Sequence, residues 1–558
     1  MVLTEGKPAT AQRWADDLER FRAALGRMVP VDQARLTPVA VVIFPNDKAF
    51  RPYKMLQNGK PAEVGGFFSN ANGVRAIGLA VDYDSDQTRR VIFHEATHWF
   101  YSARAERLPP WLEEGIAEVF STFHADGSHF TVGDAIANHV DFLRNNDLEP
   151  LAKLFGTAQA DIDYHERDRA GLFYAESWLV VHWAMFGEGS PGADSLSRYV
   201  TALKTARSSE AAFAAAFGGD YRTIDHRLAV YLRSGEYIRR SYVLRAADLV
   251  ASEPPRPATE GEVEYALGAL QLGGRGAPEA LPHLERAVAL EPANVAAWEA
   301  LGFARLAQDE KDAALAAFDH ATRLGSHNAL VWHNHAVLRQ EAELPAGEFV
   351  VTTNWEMFNE SARDYRQAIA LDPRCQPAYE GLAGVVYGAQ PADAADLARL
   401  EQGRRFFPGD RMITTGVAAA QLRVGDRAAA TKDLRAIFDA ADAAPAVRQL
   451  ARSALEGEVL AKVKAQFEST QRDRRYADLI AGIDEALKED VLAPENRRAL
   501  VAQRHEVDQW RRLDAAVNLV NSGRRAEAAV AVRMILDEPP ANGIMRQEAE
   551  RVLKACGP

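Results

Sequence analysis

Residues 91–100 read VIFHEATHWF and contain two histidines four positions apart, His94 and His98, with Glu95 directly after the first. Four residues make about one helical turn, so both imidazoles can face one metal ion about 2 Å away. Glu95 then lies beside the water molecule that such an ion binds. The pattern alone is weak, because a solvated helix can carry the same residues without a metal. A zinc site requires a third ligand.

The metzincin arrangement does not supply that ligand. It places a glycine three residues after the second histidine and a third histidine six residues after it. These positions hold Tyr101 and Arg104 in this chain. The metzincin form is therefore excluded, and the third ligand has to come from another segment.

Residues 108–120 read LPPWLEEGIAEVF and predict a second helix, because proline is favoured in the first turn of a helix. Its first turns present three carboxylates, those of Glu113, Glu114 and Glu118. Fifteen residues lie between His98 and Glu114, enough for the first helix to end and a second one to return beside it. A carboxylate from this second helix completes a site of two histidines and one glutamate.

The stretches HEATHWF and PPWLEEGIAEVF together resemble the gluzincin metallopeptidases, the thermolysin-like and aminopeptidase-like group. In this group a Trp-Leu-x-Glu-Gly stretch supplies the third zinc ligand from its glutamate. Residues 111–115 match that stretch, so the resemblance implies Glu114 as the ligand and leaves Glu113 at the variable place. Glu118, one turn later, resembles the acid that orients a ligand histidine.

Residues 171–186, GLFYAESWLVVHWAMF, contain a candidate for oxyanion stabilisation. Tyr174 stands before a small residue and an apolar helix, which is similar to the aminopeptidase pattern in which a tyrosine hydroxyl stabilises the oxyanion. An aromatic residue that opens an apolar helix is also a common core residue, and this alternative stays open. His182 is expected in the core, or else as a donor to the oxyanion. The histidines without a motif are expected on the surface: His124, His129 and His165.

The resemblance implies the mechanism of a zinc peptidase. Zn²⁺ held by the three ligands keeps one coordination position open, lowers the pKa of its water and polarises a substrate carbonyl. Glu95 acts as the general base, and the ion and Tyr174 stabilise the oxyanion. In this group an extended substrate pairs with an edge strand before the motif helix, and residues 67–81 are the candidate. The same residues make an equally good structural hairpin.

The sequence around the motif predicts a region of mixed strands and helices. Apolar residues alternate at 39–44 and 74–83, as in strands, and a glycine-rich turn is predicted between them at 64–73. Residues 251–262, ASEPPRPATEGE, have no periodicity and predict a linker. We therefore expect an α+β, zincin-like catalytic domain over residues 1–250.

Beyond the linker the sequence is helical, alanine-rich and repetitive. Trp298 and Trp332 stand 34 residues apart, which is the period of a tetratricopeptide repeat. One unit carries about a dozen extra residues within LPAGEFVVTTNWEMF, residues 344–358, predicted as a loop. We expect an all-α tetratricopeptide-repeat solenoid over 257–445 and degenerate helical repeats over 446–558, with a plain helical bundle as the alternative. The other residues in phase are Leu267, Gly268, Ala280, Ala287, Pro292, Leu301, Gly302, Ala314, Phe318, Ala321, Tyr365, Ala368, Pro373, Tyr379 and Leu382.

The whole chain resembles bacterial peptidase-MA-like proteins followed by tetratricopeptide repeats. This implies a zinc metallopeptidase that hydrolyses peptide bonds and whose repeats recruit a substrate or a partner protein. Two other functions fit the same residues. One is an interaction protein with an inactive zincin scaffold, and the other is a zinc hydrolase of a non-peptide amide or ester.

Composition limits the remaining possibilities. Lys and Arg number 65 against 78 Asp and Glu, so the net charge is −13, and without a long basic run no nucleic-acid partner is expected. Cys375 and Cys556 match neither a disulfide framework nor a cysteine zinc site. No segment has the roughly 20 apolar residues of a membrane span. The expected location is periplasmic or secreted, with an export signal upstream of this sequence, and cytoplasmic if the sequence is complete.

Overall fold

The computed structural model describes residues 1–29, 36–81, 85–103, 108–157, 167–343, 355–386, 393–470, 474–539 and 543–557. The chain forms two compact units, residues 1–338 and residues 339–558. Among the helices in these described ranges, none combines the length and the hydrophobicity needed to cross a bilayer.

The first unit begins with mixed strands and helices, as the sequence predicts. Its strands are β1 (Val2–Thr4), β2 (Ala40–Phe44), β3 (Leu56–Gln57), β4 (Lys60–Pro61), β5 (Gly66–Ala71), β6 (Val74–Ala80), β7 (His124–Asp126), β8 (His129–Val132) and β9 (Arg240–Val243). Its first helices are α1 (Pro8–Met28), α2 (Asp47–Phe50), α3 (Ser85–Tyr101), α4 (Pro110–Ser121), α5 (Ala137–Asn145), α6 (Leu151–Gly156), α7 (Arg167–Phe186), α8 (Asp194–Ala202), α9 (Ser209–Phe217) and α10 (Tyr221–Ser234).

From residue 260 onward the regular structure of the described chain is helical. The first unit continues with α11 (Glu260–Gly274), α12 (Ala277–Leu290), α13 (Val295–Ala307), α14 (Lys311–Arg323) and the beginning of α15 (Ala329–Glu343). The second unit contains α16 (Trp355–Leu371), α17 (Gln376–Val385), α18 (Ala394–Phe406), α19 (Arg411–Val424), α20 (Arg427–Asp439), α21 (Pro445–Thr470), α22 (Tyr476–Ala486), α23 (Pro494–Asn521), α24 (Arg525–Leu536) and α25 (Gly543–Ala555).

Four strands form the main sheet in the order β1-β2-β6-β5. β1, β2 and β6 run parallel, and β5 pairs antiparallel with β6, so β5 lies at one edge of the sheet. Strands β2 and β6 lie within the runs predicted at 39–44 and 74–83, of which residues 82–83 are outside the described residues. Residues 66–71 differ from the turn predicted at 64–73, because they pair with β6 as strand β5. Only Asn72 and Gly73, with φ of 54° and 87°, make the tight turn.

One face of this sheet is covered by α1 and α3. Val41, Ile43 and Ile77 point to this side and share a hydrophobic core with Phe21 of α1 and Phe93 of α3. α4 packs against α3, and α7 packs against α4. The motif helix therefore lies between the sheet and the helix that is predicted to bring the third ligand.

The opposite face of the sheet is covered by the first helices of the array. Ala40, Val42 and Ala76 alternate with the residues of the first face, and they share a core with Leu270 of α11 and Phe303 of α13. This alternation follows from the two-residue period of a strand, which sends successive side chains to opposite faces. The sheet is therefore buried on both sides by helices that lie far apart in sequence.

The predicted linker, residues 251–262, precedes the helix that covers this second face. It has no helix or strand up to its N-cap residue Thr259. The compact unit continues past it to residue 338, because α11 shares its core with the sheet. The sequence predicts 1–250 and 257–445 as separate units, whereas the shared core leads us to expect that residues 1–250 need α11 to fold.

The helical array repeats its contacts at the predicted interval. Trp298 donates its indole N–H to the carbonyl of Pro292 at 2.9 Å, and Trp332, 34 residues later, donates to Ser326 at 2.9 Å. These recurrences confirm a helical array of the tetratricopeptide type. A glycine packed directly against a large side chain recurs in the same way, in the pairs Gly268–Leu284 and Gly302–Phe318.

Two further predictions concern the second unit. The loop predicted within 344–358 lies outside the described residues as far as 354, and α16 begins directly after it. The helical hairpins predicted over 446–558 are present as α21 to α25. Within residues 521–536, α23 ends, the chain turns at 522–524, and α24 follows.

Candidate metal centre

The HExxH motif lies in the second half of α3. Ile92, Phe93 and Ala96 are buried in the core of the first unit. Helical periodicity therefore turns His94 and His98 away from this core and toward α4. The apolar side of the helix fixes its position, and the polar side is left for chemistry.

α4 is held against its neighbours by an exceptionally close contact. It begins at Pro110, as the sequence predicts, and Trp111 is fully buried in its first turn. A Cβ atom on Gly115 would collide with the carbonyl oxygen of Ser177 on α7. Glycine at this place lets the two helices approach, and α4 thereby presents the carboxylate of Glu114 to the two histidines.

Three ligand atoms converge between α3 and α4. Nε2 of His94 lies 3.2 Å from Nε2 of His98, and Oε2 of Glu114 lies 3.3 Å from the first and 3.5 Å from the second. Ligands about 2.0–2.1 Å from a tetrahedral zinc ion stand roughly 3.3–3.4 Å apart. The three atoms therefore have the separation that a zinc ion requires. Within the described residues, this is the one group of at least three metal-ligating side chains found within ligand distance of one another.

The chemistry of these donors also fits zinc. Oε2 of Glu114 is buried and forms no hydrogen bond in the described part of the chain, although two imidazole nitrogens lie near it. A buried carboxylate oxygen without a donor is costly unless a cation compensates it. Two imidazole nitrogens and one carboxylate oxygen form a common ligand set for catalytic zinc. The residues present fit the ion that the resemblance implies.

The charges of the centre strongly influence one another. Burial lowers the pKa of His94, but the neighbouring carboxylates of Glu114 and Glu118 outweigh it and raise that pKa to about 10. Burial likewise opposes a raised pKa at His98, yet the charge of Glu114 holds it well above its usual range. Burial raises the pKa of Glu114, and the two histidines lower it to about 2. Since metal ligands must be deprotonated, a metal bound here displaces protons from the imidazoles.

Each imidazole has its own supporting carboxylate on α4. Nδ1 of His94 lies 3.4 Å from Oε1 of Glu118, and Nδ1 of His98 lies 3.3 Å from Oε1 of Glu113. Such contacts fix the orientation of ligand histidines and raise their basicity. Glu118 lies where the sequence predicts it. The contact between Glu113 and His98 was not predicted, although Glu113 directly precedes the predicted ligand Glu114 in the sequence.

The side chain of Glu95 reaches from the motif helix to the edge strand. Its Oε2 accepts the backbone N–H of Phe68 on β5 at 2.8 Å. That N–H therefore points to the edge of the sheet and away from β6. The contact brings the predicted general base and the predicted substrate strand to one place, and no sequence pattern indicated this contact.

Tyr174 lies near the centre, and its catalytic role stays a prediction. The centroid of its ring is 6.3 Å from that of His94, with the two planes at 60°. The helix that carries it begins at Arg167, so Tyr174 lies two turns inside α7 rather than opening it. Its side chain is half-buried beside the histidines.

The other histidines that were named from the sequence and are described by the structure do not belong to this group of ligand residues. His182 is fully buried, with Nδ1 2.8 Å from the hydroxyl of Tyr231 and Nε2 2.8 Å from the carbonyl of Gly133. Both ring nitrogens are thus occupied within the core, where burial lowers the pKa of His182 to about 4. His124 and His129 are exposed, as predicted, and His165 lies outside the described residues.

Two residues near the centre were missed by the sequence analysis. Nε2 of His139, on α5, lies 3.1 Å from Oε2 of Glu118, and Nη2 of Arg90 lies 3.8 Å from the same oxygen. Arg90 stands one helical turn before His94, so helical spacing could have indicated it. No sequence signal links His139 to the motif.

Comparisons with known proteins find solved structures only. No family model matches this chain, and no curated protein matches it. A tetratricopeptide repeat protein from Parabacteroides merdae is 13% identical and covers 53% of this chain and 98% of its own, with a TM-score of 0.24. Naa15/Naa10 bound to HypK-THB is 16% identical over 53% of this chain and 39% of its own, with a TM-score of 0.23. The TPR domain of P58(IPK) is 11% identical and covers 53% of this chain and 98% of its own, with a TM-score of 0.18.

Proposed function

We propose that this chain is a zinc-dependent metallopeptidase of the gluzincin type with a zincin-like catalytic region, and that His94, His98 and Glu114 bind the zinc ion. The observation that carries the proposal is the triangle of three ligand atoms, with sides of 3.2, 3.3 and 3.5 Å. Its donor set and spacing suit a tetrahedral ion that keeps one position open for chemistry. When bound, the ion supplies Lewis acidity toward a water molecule and toward a substrate carbonyl.

Glu95 is the general base of the proposed reaction. The N–H of Phe68 holds its Oε2, which leaves Oε1 to take a proton from the attacking water. The carbon–nitrogen bond of the substrate then breaks, and Glu95 passes the proton to the leaving amine. The hydroxyl of Tyr174 donates to the oxyanion that forms in between.

The edge strand β5 is the proposed docking place for an extended peptide. In the antiparallel pairing with β6, alternate residues of β5 direct their N–H and C=O groups outward. The outward N–H of Phe68 is occupied by Glu95, so a peptide would pair with the remaining outward groups. A peptide that pairs with these groups is held mainly by its backbone, so this contact adds little sequence specificity. In this proposal the helical array recruits the substrate or a partner protein.

A protein-interaction scaffold is the second candidate. The observation that favours it is the helical array from residue 260 onward, in which the same contacts return after 34 residues. Such arrays present extended surfaces to partners without any catalytic residue. A scaffold of this kind keeps its fold and its partner when the catalytic base is removed.

The replacement Glu95→Gln separates the two candidates. It keeps the three ligands and the contact with Phe68, so zinc content and melting temperature should match the wild type. Peptide hydrolysis should fall by at least about a hundredfold, because general-base catalysis contributes two to four powers of ten. The matched control Glu188→Gln changes an exposed glutamate and should leave hydrolysis unchanged.

The substrates for this test are peptides released from a denatured proteome, with products identified by mass spectrometry. If zinc-loaded wild type and Glu95→Gln both cleave nothing, while both bind the same protein through the helical array, the scaffold replaces the peptidase. If the wild type cleaves only amides or esters outside peptides, the zinc hydrolase is retained and the peptide substrate is abandoned.

A further inference from the structure

Glu118 divides its two carboxylate oxygens between the metal centre and a second pair of side chains. Oε1 lies 3.4 Å from Nδ1 of His94, a proposed ligand. Oε2 lies 3.1 Å from Nε2 of His139 and 3.8 Å from Nη2 of Arg90. The side chain of Glu118 is only 12% exposed, so these groups rather than water compensate most of its charge.

His139 reaches Glu118 from a helix that carries none of the proposed ligands. It lies in α5, and its ring centroid is 6.1 Å from that of Trp178 on α7. Its Nε2 is buried and forms no hydrogen bond in the described part of the chain, although Oε2 of Glu118 lies 3.1 Å from it. The Nε atom of Arg90 is likewise buried and forms no hydrogen bond in the described part of the chain. For His139 the carboxylate of Glu118 is therefore the available acceptor.

We infer that His139, together with Arg90, is a positioning residue of the metal centre, which holds Glu118 so that His94 presents its Nε2 to the metal. The inference rests on the proposed function, because it requires that His94 binds zinc. Partners behind ligand histidines set both ring orientation and basicity, and their loss weakens metal binding by about 10–100-fold. His139 acts one step further out, through Glu118.

Removal of His139 should release this arrangement. Oε2 of Glu118 then keeps only the more distant Arg90, and the carboxylate can rotate toward it. Its Oε1 would leave Nδ1 of His94, and the imidazole would lose the contact that fixes its plane. A histidine that only fills space in the core would instead affect stability and leave the affinity for zinc unchanged.

Three replacements of His139 in the full-length protein separate positioning from packing. His139→Gln keeps an N–H donor near the place of Nε2, whereas His139→Leu removes the donor and His139→Asn is too short to reach Glu118. His129→Leu is the matched control, because His129 is exposed on β8. The readouts are zinc affinity by competition with a chromogenic chelator, the visible spectrum of the Co²⁺-substituted protein, and the melting temperature without metal.

The Leu and Asn variants should bind zinc about 3- to 10-fold more weakly and alter the Co²⁺ spectrum. The Gln variant and the control should stay within about twofold of the wild type. If the Leu variant fails to fold, the polar Asn variant still decides the question. Unchanged zinc affinity in the folded Leu or Asn variant overturns the inference.

A double-mutant cycle with Glu118→Gln tests whether His139 acts through Glu118. Because the proposed path runs through that carboxylate, His139→Leu should cause no further loss of affinity in the Glu118→Gln background. An equal loss in both backgrounds overturns the inference. Wild type that binds zinc but hydrolyses nothing overturns only the peptidase, since these readouts need no activity, whereas wild type without zinc affinity overturns both.

Discussion

α3 and α11 pack on opposite faces of the same β5–β6 hairpin and do so by different means. α3 gives the sheet an apolar side and turns a charged side, with His94 and His98, toward α4. α11 meets the sheet through small and apolar residues, and a Cβ on Gly273 would collide with the hydroxyl of Ser69. α3 therefore meets the sheet through apolar side chains and turns its charged residues to α4, whereas α11 fits against the sheet because Gly273 lacks a side chain. The candidate metal centre therefore lies on one side of the sheet, while helices bury both of the sheet's faces.

The largest expected effect comes from removing α11, the helix that packs on the second face of the sheet. A fragment of residues 1–250 lacks α11 and exposes Ala40, Val42 and Ala76 together with Phe44. We expect it to be insoluble or without a cooperative thermal transition, because the lost burial is comparable with the whole stability of a domain, about 5–15 kcal/mol. Circular dichroism and calorimetry check this.

The control fragment ends at residue 338, where the compact unit ends, and should unfold cooperatively. A soluble 1–250 fragment with a melting transition equal to that of 1–338 would show that the helical array is dispensable for the sheet. In that case the linker at 251–262 is a true boundary between folding units, as the sequence predicts.

The second largest expected effect is the loss of a zinc ligand, which tests the charged side of α3. His98→Ala and Glu114→Ala should reduce zinc from about one ion per chain to a trace, because two ligands cannot retain an ion that three hold. Glu118→Gln should keep its zinc and bind it about 10–100-fold more weakly. Inductively coupled plasma mass spectrometry of the purified variants measures both. Full zinc in Glu114→Gln with none in Glu118→Gln would reverse the assignment of the third ligand.

The charged side was largely predictable from the sequence, because its chemistry imposes spacing. Two histidines one turn apart and a glutamate on a proline-started helix identify the three residues that converge in the structure. The outer contacts were not predictable. His139 meets Glu118 only because α5 packs near α7, and tertiary packing of that kind leaves no local pattern.

At the face of the sheet that α11 covers, the sequence predicts the helices but not what they pack against. The 34-residue period predicts the helices and their phase, and Trp298 and Trp332 repeat one contact. The period does not show that the first helix of the array covers the sheet. From the sequence alone, Leu270 and Gly273 could equally well contact a neighbouring repeat, because alanine, glycine and leucine do not indicate which surface they pack against.

A single truncation at this second face should have an intermediate effect. Leu270 is fully buried between α11 and β6, so Leu270→Ala should lower the free energy of unfolding by about 2–5 kcal/mol. The control Leu290→Ala removes a side chain that is 44% exposed and should cost about 0.5 kcal/mol or less. Denaturant titration of the 1–338 fragment measures both. Equal effects in the two variants would contradict the shared core.

The smallest expected effect concerns a buried carboxylate away from the metal centre. Glu176 on α7 is 4% exposed, and one of its oxygens accepts the backbone N–H of Glu149. Burial raises its pKa to about 8, whereas the histidines beside Glu114 lower the pKa of that residue to about 2. The difference lies in the partner, since no imidazole or guanidinium compensates Glu176 among its contacts in the described chain.

The sign of the pH effect follows from this raised pKa. The folded state keeps the proton of Glu176 longer than the unfolded state, so the stability it contributes is full below about pH 4.5 and is lost as pH rises toward 8. Glu176→Gln keeps the acceptor for Glu149 and removes the titration, so its stability relative to the wild type should be unchanged near pH 4.5 and should rise as the pH increases toward 8. Thermal unfolding of the 1–338 fragment between pH 4.5 and 8 measures the slope, with Glu188→Gln as control. Parallel slopes for wild type and Glu176→Gln would contradict the raised pKa and would mean that Glu176 is ionised in the fold, where the ammonium of Lys153 is the neighbouring charge that favours ionisation.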